Sequence, residues 1–256
     1  MAQFAVFKED VVRPFLRFGL DHPFWEINLH TALATWIVMI ILVILTLATR
    51  YALSKPTNHF GFLVVSFVSG FKDLVDQTLG AFHFRHFTFI ASLFIFILTC
   101  NMISLLPGIE EPTSDIMTTL ALGLTAFLYT QFSSIQTNGL MTYLRGYLKP
   151  FFIMLPLNIV SNLATIISIS FRLFGNIFGG AVISSLWYGA ISSHVILEIL
   201  GILSGINLTI TLFFVLFEGF IQAFVFAMLS LTYLSLEVRT EEPDIEPSTQ
   251  ESEQPL

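Results

Sequence analysis

Charge is what this sequence has least of. Asp, Glu, Lys and Arg together make up 11% of its 256 residues, whereas a soluble globular domain carries about 25%. Hydrophobic residues reach 55% and the mean hydropathy is +0.80. That balance excludes an ordinary soluble domain and places the chain in a bilayer. Cysteine is almost missing: Cys100 stands alone, so no disulfide forms within the chain. The 11 Lys and Arg residues form no patch of the kind that binds nucleic acid. No GxxxxGK(S/T) loop occurs, which leaves any nucleotide chemistry to other chains. His83 and His86 are spaced like a metal pair but have no third ligand near them in the sequence, and metal sites need three or four converging ligands. No metal and no cofactor is therefore expected. Residues 1–29 mix acids with bases and lack the apolar core and small-residue cleavage site of a secretory signal.

What is present is a series of long apolar runs. A helix needs about 20 apolar residues to cross a bilayer core, and the runs near 31–49, 87–106 and 116–137 meet that length. Residues 60–84 carry Lys72, Asp73 and Asp76 and read as one interfacial, amphipathic helix. The runs 151–190 and 194–236 are each about 60 Å long as continuous helix, twice a bilayer core. Glycines such as Gly201 and Gly205 could break them, but no cluster of turn residues sits at either midpoint. They are expected to be two long, strongly tilted helices packed on one another. The fold class is thus an all-α integral membrane protein with about five transmembrane helices plus one interfacial helix.

Orientation follows from the basic residues. With five spans, Arg50, Lys55, Lys72, Arg85, Arg145, Lys149 and Arg239 all fall on one side, the cytoplasmic side by the positive-inside rule. The acidic loop from Glu110 to Asp115 then falls outside. Residues 1–29 form an outer or interfacial segment, 30–237 the membrane domain, and 238–256 an acidic tail. From Glu241 onward the tail holds six acids and no Lys or Arg, a composition expected to stay disordered and solvated.

Between Lys149 and Glu198 the only Asp, Glu, Lys or Arg is Arg172. On a helix, Asn158, Ser161, Thr165, Ser168, Arg172, Asn176 and Gly179 recur every three or four residues and share one face, with Asn162 beside it. On the last run Asn207, Thr211, Glu218 and Gln222 fall near one face. If the two helices run antiparallel with Arg172 level with Gln222, Asn176 and Glu218 meet one turn toward the outside. Polar groups then lead away from Arg172 in both directions. A buried Arg172–Glu218 ion pair that only fixes packing is the plainer alternative. Ionisable residues inside a membrane are costly and commonly mark an ion pathway. Arginine does not release its proton under protein conditions. It therefore suits a fixed positive barrier that draws in a partner's carboxylate, makes it release its proton, and blocks a direct leak.

FRLFGNIFGG at 171–180 and IQAFVFAMLSLTYLS at 221–235 closely resemble the two signatures of subunit a of the rotary F-type ATP synthase. PGIEEPTSDIMTTLALGL at 107–124 is similar to that family's outer loop and following span, and PLNIV at 156–160 to its lead into the arginine helix. The matches run in order along most of the chain. The resemblance implies a stator subunit, not an enzyme on its own. It would work against a ring of c subunits in contact with peripheral stalk b subunits, other synthase subunits and membrane lipid. Protons enter one half-channel, bind a carboxylate on the ring, ride round, and leave by another. Arg172 would be the essential arginine between the half-channels, Gln222 its polar partner, and Asn176 the asparagine one turn outward. The FGN and FGG forms resemble bacterial members, which implies a bacterial plasma membrane with the C-terminus cytoplasmic.

Three positions depart from the pattern: Ala181 follows the paired glycines, Val215 lies seven residues before Gln222, and Ser161-Asn162 follow PLN where an acid is common. Glu218 is expected to replace the missing outer pair, with His194 and Glu198 at the outer mouth and Asp115 attracting protons to it. For Asp115 the plain reading is a helix N-terminal acid favoured by the dipole. Asn158, Asn162, Thr165 and Ser168 are the candidates for the inner path. A secondary transporter holding an anion on Arg172 is the rival reading. It predicts internal repeats and broken helices, and no repeat is visible.

Overall fold

A computed structural model describes residues 11–12, 27–54, 59–105, 109, 111–148, 154–191 and 205–239. A two-residue antiparallel ladder, β1 (Val11–Val12) with β2 (Ile27–Asn28), precedes the helices. The helices are α1 (Leu29–Leu53), α2 (His59–Leu79), α3 (Phe84–Met102), α4 (Ile116–Asn138), α5 (Leu140–Leu148), α6 (Met154–Ile191), α7 (Ile206–Leu212) and α8 (Gly219–Arg239). Short 3-10 turns occupy Ile103–Leu105 and Pro112–Ser114, and a π-helical segment, Phe213–Glu218, joins α7 to α8. Among the described residues five helices are long and apolar enough to cross a membrane: Leu29–Leu53, Phe84–Leu105, Ile116–Asn138, Leu155–Ile191 and Leu208–Val238. The all-α membrane architecture expected from the hydropathy pattern is the one observed.

Burial explains which helix sits where. α1 buries little beyond Ala34, Val38 and Ala52 and exposes Trp36, Met39, Ile40 and Val43; it is a peripheral span packed on α3 through Val38, Cys100 and Ile103. α2 buries Gly61, Phe71 and Val75; Lys72, Asp73 and Asp76 are exposed in its second half, and Phe62, Leu63 and Val65 in its first. It ends at Gly80, whose φ of 74° lets the backbone turn and donate to the Asp76 carbonyl at 2.8 Å. α3 is central. Its buried residues His86, Ile90, Leu93, Phe94, Ile97, Cys100 and Asn101 recur every three or four positions.

α4 buries a different stripe: Thr119, Gly123, Ala126, Thr130, Ser133 and Ser134. These are small residues, which let membrane helices approach closely. The approach is closest at Gly123, where an added Cβ would collide with Ser170 Oγ and come within 3.3 Å of the Ile166 carbonyl oxygen. α6 is one unbroken helix of 38 residues, about 57 Å at 1.5 Å per residue, as the absence of turn residues suggested. It packs antiparallel to the last span, since Gly180 faces Phe214 and Asn176 meets Gln222. The hydrophobic core draws on α2, α3, α4, α6 and α8, with Phe94, Leu173, Phe226 and Leu231 at its centre.

The run 194–236 is not the single helix expected. Gly205 takes a left-handed φ of 70° immediately before α7, a conformation that no helix interior contains. The description of the last span therefore starts at Ile206. Residues 192–204 lie outside the described part.

One end of the bundle is tied by polar groups. Arg85, at the start of α3, bonds Gln136 near the end of α4. There the Glu237 carbonyl accepts from Ser134 Oγ at 3.3 Å and Asn138 Nδ2 at 3.1 Å, and Ser235 Oγ donates to Thr78 O at 2.8 Å. The first two answer an orphan C-terminal carbonyl of α8 and the third one of α2. They also place the start of α3 and the ends of α2, α4 and α8 on one side, as the alternation of five spans requires.

Candidate functional site

The polar stripe of α6 divides into two faces. Arg172, Ser168 and Ser161 are exposed, on a surface that none of the described helices covers. Ile167, Phe171 and Phe178 flank the arginine there, each exposed. Ile169, Ser170 and Leu173 on the opposite side are buried against α4 and α8. The guanidinium thus stands on the outward face of a long apolar helix. Among the described residues it makes no ion pair with Glu218, so the packing alternative is not what the structure contains.

Asn176 Nδ2 donates to Gln222 Oε1 at 2.6 Å. Gln222 is buried, and its Nε2 has no hydrogen-bond partner. The bond joins Asn176 to Gln222, one turn beyond the Glu218 beside which the sequence sets it. A π-helical segment, Phe213–Glu218, ends just before that turn. Arg172, Asn176 and Gln222 remain one neighbourhood, and Glu218 sits at its edge, half-buried.

On the Glu218 side, the outer side if the C-terminus is cytoplasmic, a buried network leads away from this centre. Asn101 Nδ2 donates to Gly219 O at 2.9 Å, and its Oδ1 accepts from Thr113 Oγ1 at 3.1 Å. Gly219 has no side chain because Asn101 Cβ would lie 3.1 Å from a Cβ there. Thr113 belongs to the turn that begins just after Glu111. Burial pushes the Glu111 carboxyl up to about 7, a hydrogen bond from Ser104 opposes this, and the Glu218 carboxylate adds to the rise. Glu111 is the residue that sequence reasoning missed. The acidic loop was visible, but which of its acids turns inward depends on contacts more than a hundred positions apart.

On the opposite side a cavity of about 90 Å³ opens between α4, α6 and α8, lined by Thr130, Gln131, Asn162, Thr165, Ser230 and Glu237 among others. It takes in two of the inner-path candidates, Asn162 and Thr165. Ser168 stays on the exposed face, and Asn158 is half-buried. Asp115 is the N-cap of α4, its Oδ1 accepting from Met117 N at 2.9 Å, which is the plain reading given above. His194 and Glu198 lie outside the described residues, as do the side chains of Asn207 and Thr211. His86 is buried with Nδ1 3.0 Å from the Tyr129 hydroxyl. Among the described residues no three His, Cys, Asp or Glu side chains converge as a metal site would require.

A bundle of membrane-spanning helices with one fixed cation on an outward face and polar groups leading off in both directions defines a class: multi-pass membrane proteins that handle an ion. Comparison with known proteins narrows the class. The family model described as ATP synthase A chain matches residues 32–235. Subunit a of ATP synthase from Solidesulfovibrio magneticus is 35% identical over 205 residues, covering 78% of this chain and 80% of its own. Its counterpart from Moorella thermoacetica is 34% identical over 208 residues, covering 80% and 88%. ATP synthase subunit a 2 of Acaryochloris marina is 30% identical over 224 residues, covering 83% and 88%. The chain belongs to the ATP synthase A chain family. The transporter reading is left without support.

Proposed function

We propose that this chain is the stationary subunit a of a rotary ATP synthase and guides protons across the membrane past Arg172. The observation that carries the reading is the placement of Arg172. It lies exposed on an uncovered face of α6, within a turn of the bonded Asn176–Gln222 pair, with buried polar groups on either side along the membrane normal. A permanent cation exposed among Ile167, Phe171 and Phe178 has no favourable surroundings in lipid. A ring of c subunits presenting carboxylates would supply them. The carboxylate arrives protonated through lipid, ionises opposite the guanidinium, and takes a fresh proton from the other side. Coulomb attraction at contact distance is about 4 kcal/mol at an effective dielectric constant of 20, enough to favour the ionised form at that one point.

The subunit performs no bond chemistry itself; ATP is made or hydrolysed on other subunits. Peripheral stalk b subunits hold it still. The outer path runs by Glu218 and Glu111, with Asp115, His194 and Glu198 nearer its mouth, and Asn158, Asn162, Thr165 and Ser168 serve the inner path. Residues 30–237 form the membrane domain of a bacterial plasma-membrane protein, with 1–29 outside and the 238–256 tail cytoplasmic.

The test is ATP-driven acidification of inverted membrane vesicles, with and without sodium. Arg172→Ala is expected to abolish acidification in a complex that still assembles, and the unaltered protein to pump in sodium-free buffer. Undiminished pumping by Arg172→Ala would overturn the reading. Pumping by the unaltered protein that requires sodium would replace the proton as the ion.

A further inference from the structure

Asn101 lies in the last turn of α3 and is 1% exposed. Its carboxamide is bonded at both ends. Nδ2 donates to Gly219 O at 2.9 Å, and Oδ1 accepts from Thr113 Oγ1 at 3.1 Å. Each partner stands beside an acid in the chain. Gly219 directly follows Glu218, and Thr113 comes two residues after Glu111. One buried side chain therefore joins the two segments that carry these acids.

Local bonds make each segment a fixed extension of its acid. The Glu111 carbonyl accepts from Ser114 N at 3.0 Å and from Ser114 Oγ at 2.7 Å, which closes the turn that contains Thr113. On the other side Gly219 closes the π-helical segment Phe213–Glu218. Its N–H reaches back to the Phe214 carbonyl, five residues earlier, and to that of Leu216. Single π turns are rare and frequent at functional sites. Relaxation to an α turn would rotate the residues before Gly219 by up to about 100° relative to those after it, the step of one residue at 3.6 per turn. A carbonyl in the first turn of a helix already has a donor within the helix, so the bond from Asn101 is not needed to satisfy Gly219. It locates the junction instead. The close approach it requires is the one that leaves 3.1 Å between Asn101 Cβ and a Cβ built on Gly219.

We propose that Asn101 is a positioning residue for proton transfer: its amide sets the spacing of Glu111 and Glu218, so that a proton held by one carboxyl passes to the other. The inference rests on the proposed reading of these acids as part of the outer path. A proton leaves one carboxyl as the other carboxylate accepts it, directly or through one water; nothing else is consumed. The titratable side chains at this bridge are Glu111 from the outer loop, Glu218 from the last span and Cys100 from α3. A thiol in apolar surroundings stays protonated at neutral pH, and an amide has no proton to exchange there. Asn101 thus acts only through the acids it places.

The experiment uses the whole complex in liposomes with the ATP-forming sector facing outward, so that the internal buffer sets the pH on the outer side of the protein. ATP synthesis is driven by a potassium diffusion potential and followed as the internal pH is varied. Asn101→Ala is expected to lower synthesis several-fold at equal amounts of assembled complex. It should also move the internal-pH profile toward acid, because Glu111 loses the neighbouring carboxylate that helps to raise it. In a Glu111→Gln background, Asn101→Ala should move the profile no further. Thr113→Val removes the other bond of the amide and should act in the same direction, whereas Thr113→Ser keeps the hydroxyl and should behave like the unaltered protein. Unchanged synthesis in Asn101→Ala would overturn the inference. So would a fall in rate with the profile in place, the mark of a purely structural role. If Asn101→Ala fails to assemble, Thr113→Val is judged by the same two criteria. Arg172→Ala in the same liposomes separates the claims. If it abolishes synthesis while Asn101→Ala and Thr113→Val leave rate and profile unchanged, the proton-guiding function stands and this inference falls; if Arg172→Ala still makes ATP, the reading of the chain itself falls.

Discussion

Glu111 shows how a single residue acquires a property that its type does not have. Buried beside Ser104 and facing the Glu218 carboxylate, its carboxyl is raised from 4.5 to about 7. A raised acid holds its proton below that value and gives it up above it. In the proposed outer path it would load readily in acid and poorly in alkali. ATP synthesis driven by an imposed proton gradient is therefore expected to fall as outer pH passes through the window about one unit either side of 7. Glu111→Gln is expected to flatten that part of the profile. An unchanged profile in the Gln variant would assign the titration to another group. At the same scale, Arg172 was fully legible in the sequence, because a lone charge in a long apolar run needs no structure to be noticed. Asn101 was not. It is one asparagine near the end of a span, and its importance comes from Gly219, 118 positions away.

At the scale of elements, the fit of α4 against α6 rests on small side chains rather than on bulk. Gly123 is the tightest point, with Ser170 and Ile166 directly opposite. Gly123→Ala is expected to destabilise the subunit by about 1–3 kcal/mol, the range for overpacking a close contact. The measurement is thermal unfolding of the detergent-solubilised complex. Adding Ser170→Ala removes the nearest obstacle, the hydroxyl, and should recover part of the loss; no loss in the single variant would contradict the packing described. Helix type and number were readable because long apolar runs leave few options in a bilayer. Two features of the last span were not. FFVLFE carries no residue that announces a π-helical turn, and Gly205 looks like any other glycine until its φ of 70° is seen. Counting at 3.6 residues per turn assumes a helix of one kind throughout, which Phe213–Glu218 is not.

Across the whole molecule, the proposed function requires two polar paths that do not join within this chain. One gathers Asn101, Thr113, Glu111 and Glu218; the other takes in Asn162 and Thr165. Arg172 stands between them on the open face, next to Asn176 and Gln222. Which polar residues belong to which path depends on tertiary packing, so the sequence showed only a stripe, which the structure divides. The most direct test of the central claim is passive proton permeability of vesicles stripped of the ATP-hydrolysing sector, comparing the unaltered protein with Arg172→Ala. If the guanidinium is the barrier between the paths, the Ala variant conducts protons at least as fast as the unaltered protein, although it no longer pumps. Vesicles that become proton-tight in the Ala variant, or that keep both pumping and tightness, would contradict the account.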